Sequence, residues 1–329
     1  MSDQIDAEAR IVVTGGSGFI GTNLVQKLLL DGIEVLSLDI KPPQLPDHGE
    51  HFLRCDILEV RELEEAFRNF APTAVVHLAA RTDLVEGDDL SCYAANIAGV
   101  RNVLHAVNHT PSIRRVLFTS TKLVNKNGAT GVASTNYNPD TLYGKSKMAG
   151  EQIVRDNPPS CAWAILRPTS IWGPWFGVPY KNFFVSILRR FYVHVMGCDL
   201  PKRFGYVGNT VFQIQALLNC PAEAMQGGTF YLADYYVTSI RSWADEISMQ
   251  LRNKKNLKAP DWLIRLGAEC GDVAKRCGMA DPPLSSFRLR NMCTPTAEAS
   301  LDNCMAVSGA LPYSQADGVR LTLEWLTKR

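Results

Sequence analysis

The chain has 329 residues, 46% hydrophobic and 20% charged, enough apolar material for one large domain or two coupled lobes. With 34 basic against 33 acidic residues the formal net charge is +1, which supplies no general attraction to nucleic acid or to an anionic membrane. The polar start MSDQIDAEAR gives no expectation of a signal peptide and no run approaches the ~18 apolar residues of a membrane span, while nine scattered cysteines without a CxxC or Cys/His cluster predict reduced thiols, a cytoplasmic location and no metal site.

Taken in chain order, short apolar runs alternate with amphipathic segments. RIVVTG reads as a buried strand and GFIGTNLVQKLLLDG as a helix; EVLSLDI is the next strand and ILEVRELEEAFRNF the next helix. AVVHLAA and RVLFTS are strands on either side of the helix YAANIAGVRNVLHAVN, and YGKSKMAGEQIVRDN is a helix before the strand WAILRP. Strands alternating with helices of this length predict an α/β fold, a Rossmann-type doubly wound parallel sheet over residues 1–175. After Trp175 the regularity fades. GPWFGVPYKNFF and MADPPLSSF read as pocket-building loops, and ADGVRLTLEWLTKR as a surface helix. Residues 176–329 are therefore expected to form a smaller substrate lobe over the carboxyl edge of the sheet, with 204–218 returning to the first domain.

TGGSGFIG places Gly15, Gly18 and Gly21 between a strand and a helix, where glycines permit a tight turn and close approach of a pyrophosphate. The helix start adds free N–H groups and a favourable dipole. Asp39 ends the second strand eighteen residues past Gly21, placed to accept from both adenosine ribose hydroxyls and to repel a 2′-phosphate. Ile40 and Lys41 follow without an arginine, so the reading is NAD rather than NADP. Asp56 in RCDIL has two readings, an adenine acceptor or a cap for the next helix.

Tyr143 and Lys147 sit four apart on one helix face. A tyrosine is a poor base at neutral pH until a neighbouring cation and the nicotinamide charge favour its phenolate, which is the role expected of Lys147. Ser120 and Thr121 end the strand FTST, and either could hydrogen-bond a substrate oxygen beside Tyr143.

Together these residues resemble the extended short-chain dehydrogenase/reductase superfamily, in particular its NAD-dependent nucleotide-sugar epimerase/dehydratase family. TGGSGFIG is similar to the family's glycine loop, HLAA to its fourth-strand signature, NIAGVRNVL to its N-x-x-G-T-x-N-V-L helix, YGKSK to YxxxK and LRPTSIWGP to LRPxxxYGP. The resemblance implies that Gly15, Gly18, Phe19, Ile20 and Gly21 cradle the pyrophosphate, that Asp39 with Ile40 holds the adenosine ribose, and that Asp56 and Ile57 hold the adenine. It places Leu78, Ala79, Ala80 and Asn96 along the cofactor cleft, and Pro168 and Ser170 near the nicotinamide. Tyr143 would be the acid–base, Lys147 its partner and Thr121 the hydroxyl acting on substrate; Arg203, with Arg288 or Arg290, would hold a diphosphate, and Asn182 would face the substrate. It also implies a small-molecule substrate such as a UDP- or GDP-sugar and a homodimer through a four-helix bundle.

The departures narrow the chemistry. Lys122-Leu123 stands where a 4,6-dehydratase of the family carries Asp-Glu, so dehydration is disfavoured. Val100 and Asn125 replace a threonine and a tyrosine, and GYVGN lacks the acid of YVDD. The expectation is a C4 epimerase; a dehydrogenase or ketoreductase of a bulky alcohol is the alternative, with a non-catalytic NAD sensor behind both.

Overall fold

The computed structural model describes residues 9–83, 89–126, 135–195, 199–251, 256–278, 284–286, 289–290, 293–294 and 300–328. The first half runs β1 (Arg10–Thr14), α1 (Phe19–Leu30), β2 (Glu34–Asp39), β3 (Phe52–Arg54), α2 (Val60–Phe70), β4 (Ala74–His77), α3 (Ala94–Asn108), β5 (Arg115–Thr119), α4 (Leu142–Asp156) and β6 (Ala162–Pro168). Then come β7 (Ser170–Trp172), α5 (Tyr180–Leu188), β8 (Val193–Val195), β9 (Pro201–Lys202), β10 (Phe204–Tyr206), α6 (Val207–Asn219), α7 (Ala222–Met225), β11 (Gly228–Leu232), β12 (Thr238–Ser239), α8 (Ile240–Gln250), β13 (Leu257–Ala259) and α9 (Asp261–Arg276).

Seven strands form one parallel sheet in the order β11-β6-β5-β4-β1-β2-β3. Its helices lie on both faces because alternate side chains of a strand point to opposite sides. In β1, Ile11 and Val13 join one cluster with Leu24, Val25 and Leu28 of α1 and Val211, Ile214 and Leu217 of α6. Val12 joins the other, with Leu63 and Phe67 of α2 and Val103 and Leu104 of α3. Each such side chain, fully withdrawn from water, contributes about 1.5–3 kcal/mol. The seventh strand, β11, lies well past Trp175, so the sheet draws on chain beyond the expected boundary.

The second region has its own core. Trp172, Phe176, Phe184, Tyr206 and Trp243 pack with Val319 and Leu323 of the helix Gln315–Thr327. Phe176 and Phe184 are buried, which corrects the reading of GPWFGVPYKNFF as a pocket wall: the segment turns into α5 and fills the lobe's interior. Small two-stranded pairings, β7 with β10, β9 with β12 and β8 with β13, tie this region together. Among the described residues seven cysteines are free thiols and Cys293 is disulfide-bonded, a correction to the expectation of reduced thiols throughout, since pairing is set by proximity that spacing does not reveal.

Candidate active site

The glycine loop joins β1 to α1 at the carboxyl edge of the sheet. Gly15 has φ +73°, and a Cβ there would stand 2.5 Å from the Ala79 backbone nitrogen. A Cβ at Gly21 would stand 2.1 Å from the Gly15 carbonyl oxygen, so α1 presses directly on the turn. Gly18 is the N-cap of α1 and brings no side chain to its first N–H groups; Phe19 and Ile20 follow in the first turn. That leaves a helix start facing an open backbone loop, which suits a phosphate.

Asp39 closes β2 with one carboxylate oxygen accepting from Ser17 N–H at 3.1 Å and the other from Lys41 N–H at 3.0 Å. The carboxylate thus braces the glycine loop while each oxygen keeps a lone pair for a ribose hydroxyl. Ile40 is exposed beside it. Asp56 accepts from Leu58 N–H at 3.0 Å in a local turn and does not cap α2, whose N-cap is Glu59. Ile57 is buried against Gly99 of α3. Leu78, Ala79 and Ala80 are half-buried at the end of β4. Asn96 is fully buried: its Oδ1 accepts from Arg81 N–H at 2.8 Å, and its Nδ2 donates to Arg81 O and to Ser146 Oγ, both at 2.9 Å. It straps the loop after β4 to α4.

The group expected to act as acid–base is assembled by three elements. Thr121 follows β5; its hydroxyl accepts from Leu123 N–H at 3.3 Å and is hydrogen-bonded to the Tyr143 phenol. Tyr143 is placed by the first turn of α4, whose N-cap Thr141 accepts from Gly144 N–H. One turn on, Lys147 is buried and donates to Thr119 O at 2.7 Å. Ser120 instead turns inward, lining a small cavity with His77, Asn96 and Lys147. Chain position alone left Ser120 and Thr121 equivalent; the geometry puts Thr121 at the phenol.

Electrostatics depart from expectation. Burial pushes the Tyr143 phenol up to about 12, partly offset by Thr121, so in the protein alone Lys147 does not hold it down. Burial likewise lowers Lys147 to about 8, with Glu151 acting in the opposite sense. Glu151, one turn further along α4, is engaged by Arg167 of β6 through bonds of 2.8 and 2.7 Å. That buried pair went unnoticed in sequence, although Glu151 lies four residues past Lys147. His77 was also missed. Its Nδ1 meets Thr14 Oγ1 at 2.7 Å, and burial lowers it to about 3, so it is a neutral brace between β1 and β4.

Around this centre the lining is basic. Lys122 Nζ donates to Ser170 Oγ at 3.3 Å, and its ammonium is held down to about 8 by burial and by Lys202. Pro168 is buried just before Ser170, which also hydrogen-bonds the Tyr180 phenol. Arg203 is half-buried and donates to Tyr235 O at 2.8 Å. Arg290 is exposed, Asn182 is half-buried in α5, and Arg288 lies outside the described residues.

With this geometry in view, the sequence signature of the NAD dependent epimerase/dehydratase family matches residues 11–232. The chain belongs to that family. Its cofactor is NAD, and the glycine loop, whose gap at Gly15 a single Cβ would fill, fits a dinucleotide pyrophosphate. The chain is 25% identical over 327 residues to the N-acetyl-alpha-D-glucosaminyl-diphospho-ditrans,octacis-undecaprenol 4-epimerase of Escherichia coli O157:H7, covering 96% of this chain and 94% of that one. It is 30% identical over 246 residues to a 3 beta-hydroxysteroid dehydrogenase/Delta 5-->4-isomerase of Mycobacterium tuberculosis, covering 68% of this chain and 65% of that one. Its fold is similar to the UDP-glucose 4-epimerase of Thermus thermophilus in complex with NAD, with TM-score 0.71, 21% identity and coverage of 97% and 99%.

Proposed function

We propose that the protein is an NAD-dependent epimerase acting at C4 of a sugar carried on a diphosphate. NAD, when bound, supplies a hydride acceptor and donor beside the reacting carbon. The protein's part is the proton: Tyr143 would take it from the ring hydroxyl and return it, with Thr121 holding the same oxygen. Lys147 would hold the nicotinamide ribose, and its buried charge would favour the phenolate once a substrate hydroxyl aligns with Tyr143. The observation that carries the reading is the basic lining: Lys122 beside Thr121, Lys202 close enough to act on it, and Arg203 next in the chain suit a polyanion. The diphosphate carrier would be a nucleoside or, as in the Escherichia coli relative's name, a polyprenol.

A dehydrogenase of a bulky alcohol is the second reading, favoured by the likeness to the mycobacterial steroid enzyme. The two differ in what happens to reducing equivalents. With UDP- or GDP-sugars and excess NAD, the expected result is epimerised sugar without stoichiometric NADH in the absorbance trace. NADH rising in step with product would establish the dehydrogenase instead. A homodimer and a cytoplasmic location belong to the same proposal.

A further inference from the structure

Helix α9 has two apolar faces. Ile264 and Ala268 pack inward with Val195, Ala259 and Leu289. Trp262, Leu266 and Val273 are 66%, 52% and 55% exposed. At 3.6 residues per turn these three fall within about 40° of one another and roughly 160° from the packed face. The exposed Cys270 and Cys277 and the 45%-exposed Leu263 continue the stripe, and Leu257, in the short strand before the helix, is 72% exposed. A surface helix ordinarily turns polar residues outward. Here the outward face is apolar.

The surroundings are basic. The sequence 252–258, RNKKNLK, carries four basic residues and no acid, and its Lys258 is exposed. Arg276 is exposed at the edge of the stripe, Arg265 there is ion-paired with Asp261, and residues 252–276 together carry seven basic residues against three acids, Asp261, Glu269 and Asp272. A sixteen-residue helix is about 24 Å long and its stripe about 10 Å wide, which gives far less than the ~800 Å² that each partner of a stable dimer buries. A second copy is therefore a poor match for it. An indole at one end of a narrow apolar stripe, with cations alongside, matches the boundary between lipid headgroups and acyl chains. No helix among the described residues is long and apolar enough to cross a membrane, so the contact is one of surface.

We propose that α9 docks the protein on an anionic phospholipid surface through Trp262, Leu266 and Val273, with Lys258 and Arg276 facing the headgroups. This stands apart from the choice of substrate, because none of these residues belongs to the acid–base or cofactor machinery.

The full chain would be floated with vesicles of 30% phosphatidylglycerol and 70% phosphatidylcholine, and with phosphatidylcholine alone. The expected result is co-flotation with the anionic vesicles, weakened by salt. A Trp262→Glu, Leu266→Glu double variant should partition about a hundredfold less, since each side chain removed from lipid is worth about tenfold. NAD binding and the melting curve should stay unchanged in that variant, which separates loss of docking from loss of fold; a single Leu266→Glu serves if the double variant does not fold. Wild-type protein left in solution, or a variant floating as well as wild type, would overturn the proposal. So would a wild-type dimer that the variant splits while neither floats, which would make the stripe an interface between copies.

Discussion

The sheet region and the C-terminal lobe bury similar kinds of side chain but reach their cores by different rules. In the sheet, β1 sends Ile11 and Val13 to one face and Val12 to the other, and consecutive units repeat that arrangement. In the lobe, Trp172, Phe184, Phe204 and Trp243 form one aromatic knot, with Trp243 centroids 4.8 Å from both Trp172 and Phe204. Its strands, the longest of them three residues, serve mainly as ties. The first region repeats a pattern and leaves its edge free for chemistry; the second depends on a few large rings. Damage should therefore be chemical in one and mechanical in the other.

The widest separation is expected at Tyr143. Tyr143→Phe removes one hydroxyl from a half-buried ring and should leave the melting curve and NAD binding nearly unchanged. Turnover should fall by roughly 10²–10⁴-fold, as for a lost general acid–base. A mutant turning over at close to the wild-type rate would remove Tyr143 from the mechanism.

Trp243→Ala tests the other side. Emptying the centre of the aromatic knot should cost about 3–5 kcal/mol, seen in denaturant unfolding. If the two regions are energetically separate, NAD affinity survives below the new midpoint. NAD binding lost in step with the lobe would show one cooperative unit.

The smallest effect sharpens the boundary itself, where Lys122 of the sheet region meets Lys202 of the lobe. Lys122 sits at about 8 in the folded chain against an ordinary 10.5, so the unfolded chain keeps its proton to higher pH. The ammonium therefore opposes folding fully below pH 8, and the opposition fades as pH rises towards 10.5. Lys122→Met should raise Tm by a few °C at pH 7, with the gain shrinking towards pH 10.5. A gain independent of pH would mean that packing, not charge, is responsible.

What could be read from sequence follows the same division. RIVVTG, the glycine turn and Asp39 were legible because strand, turn and acceptor are neighbours in the chain. Strand β11 was not, since its partner β6 lies some sixty residues earlier and GTFYLAD has no periodic context around it. Phe176 and Phe184 were mistaken for pocket walls because nearby Pro and Gly suggested loops, whereas burial depends on contacts with Trp243 and the C-terminal helix. Lys122 was read only as a missing dehydratase acid; its place beside Ser170 needed the fold. Whole-chain charge averaged away the basic run at 252–258, and the outward apolar face of α9 needed its packed face to be known.

Gly15 and Gly32 share almost the same dihedral, +73° and +75°, yet their histories under mutation must differ. Beside Gly32 there is nothing within 4 Å of a new methyl, so alanine would bear only the backbone strain, about 1–2 kcal/mol. At Gly15 the same methyl would collide with the Ala79 main chain, a strand end that cannot retreat without dragging the sheet. Random drift can therefore sample position 32, while position 15 stays closed to any single-step change however long the lineage runs.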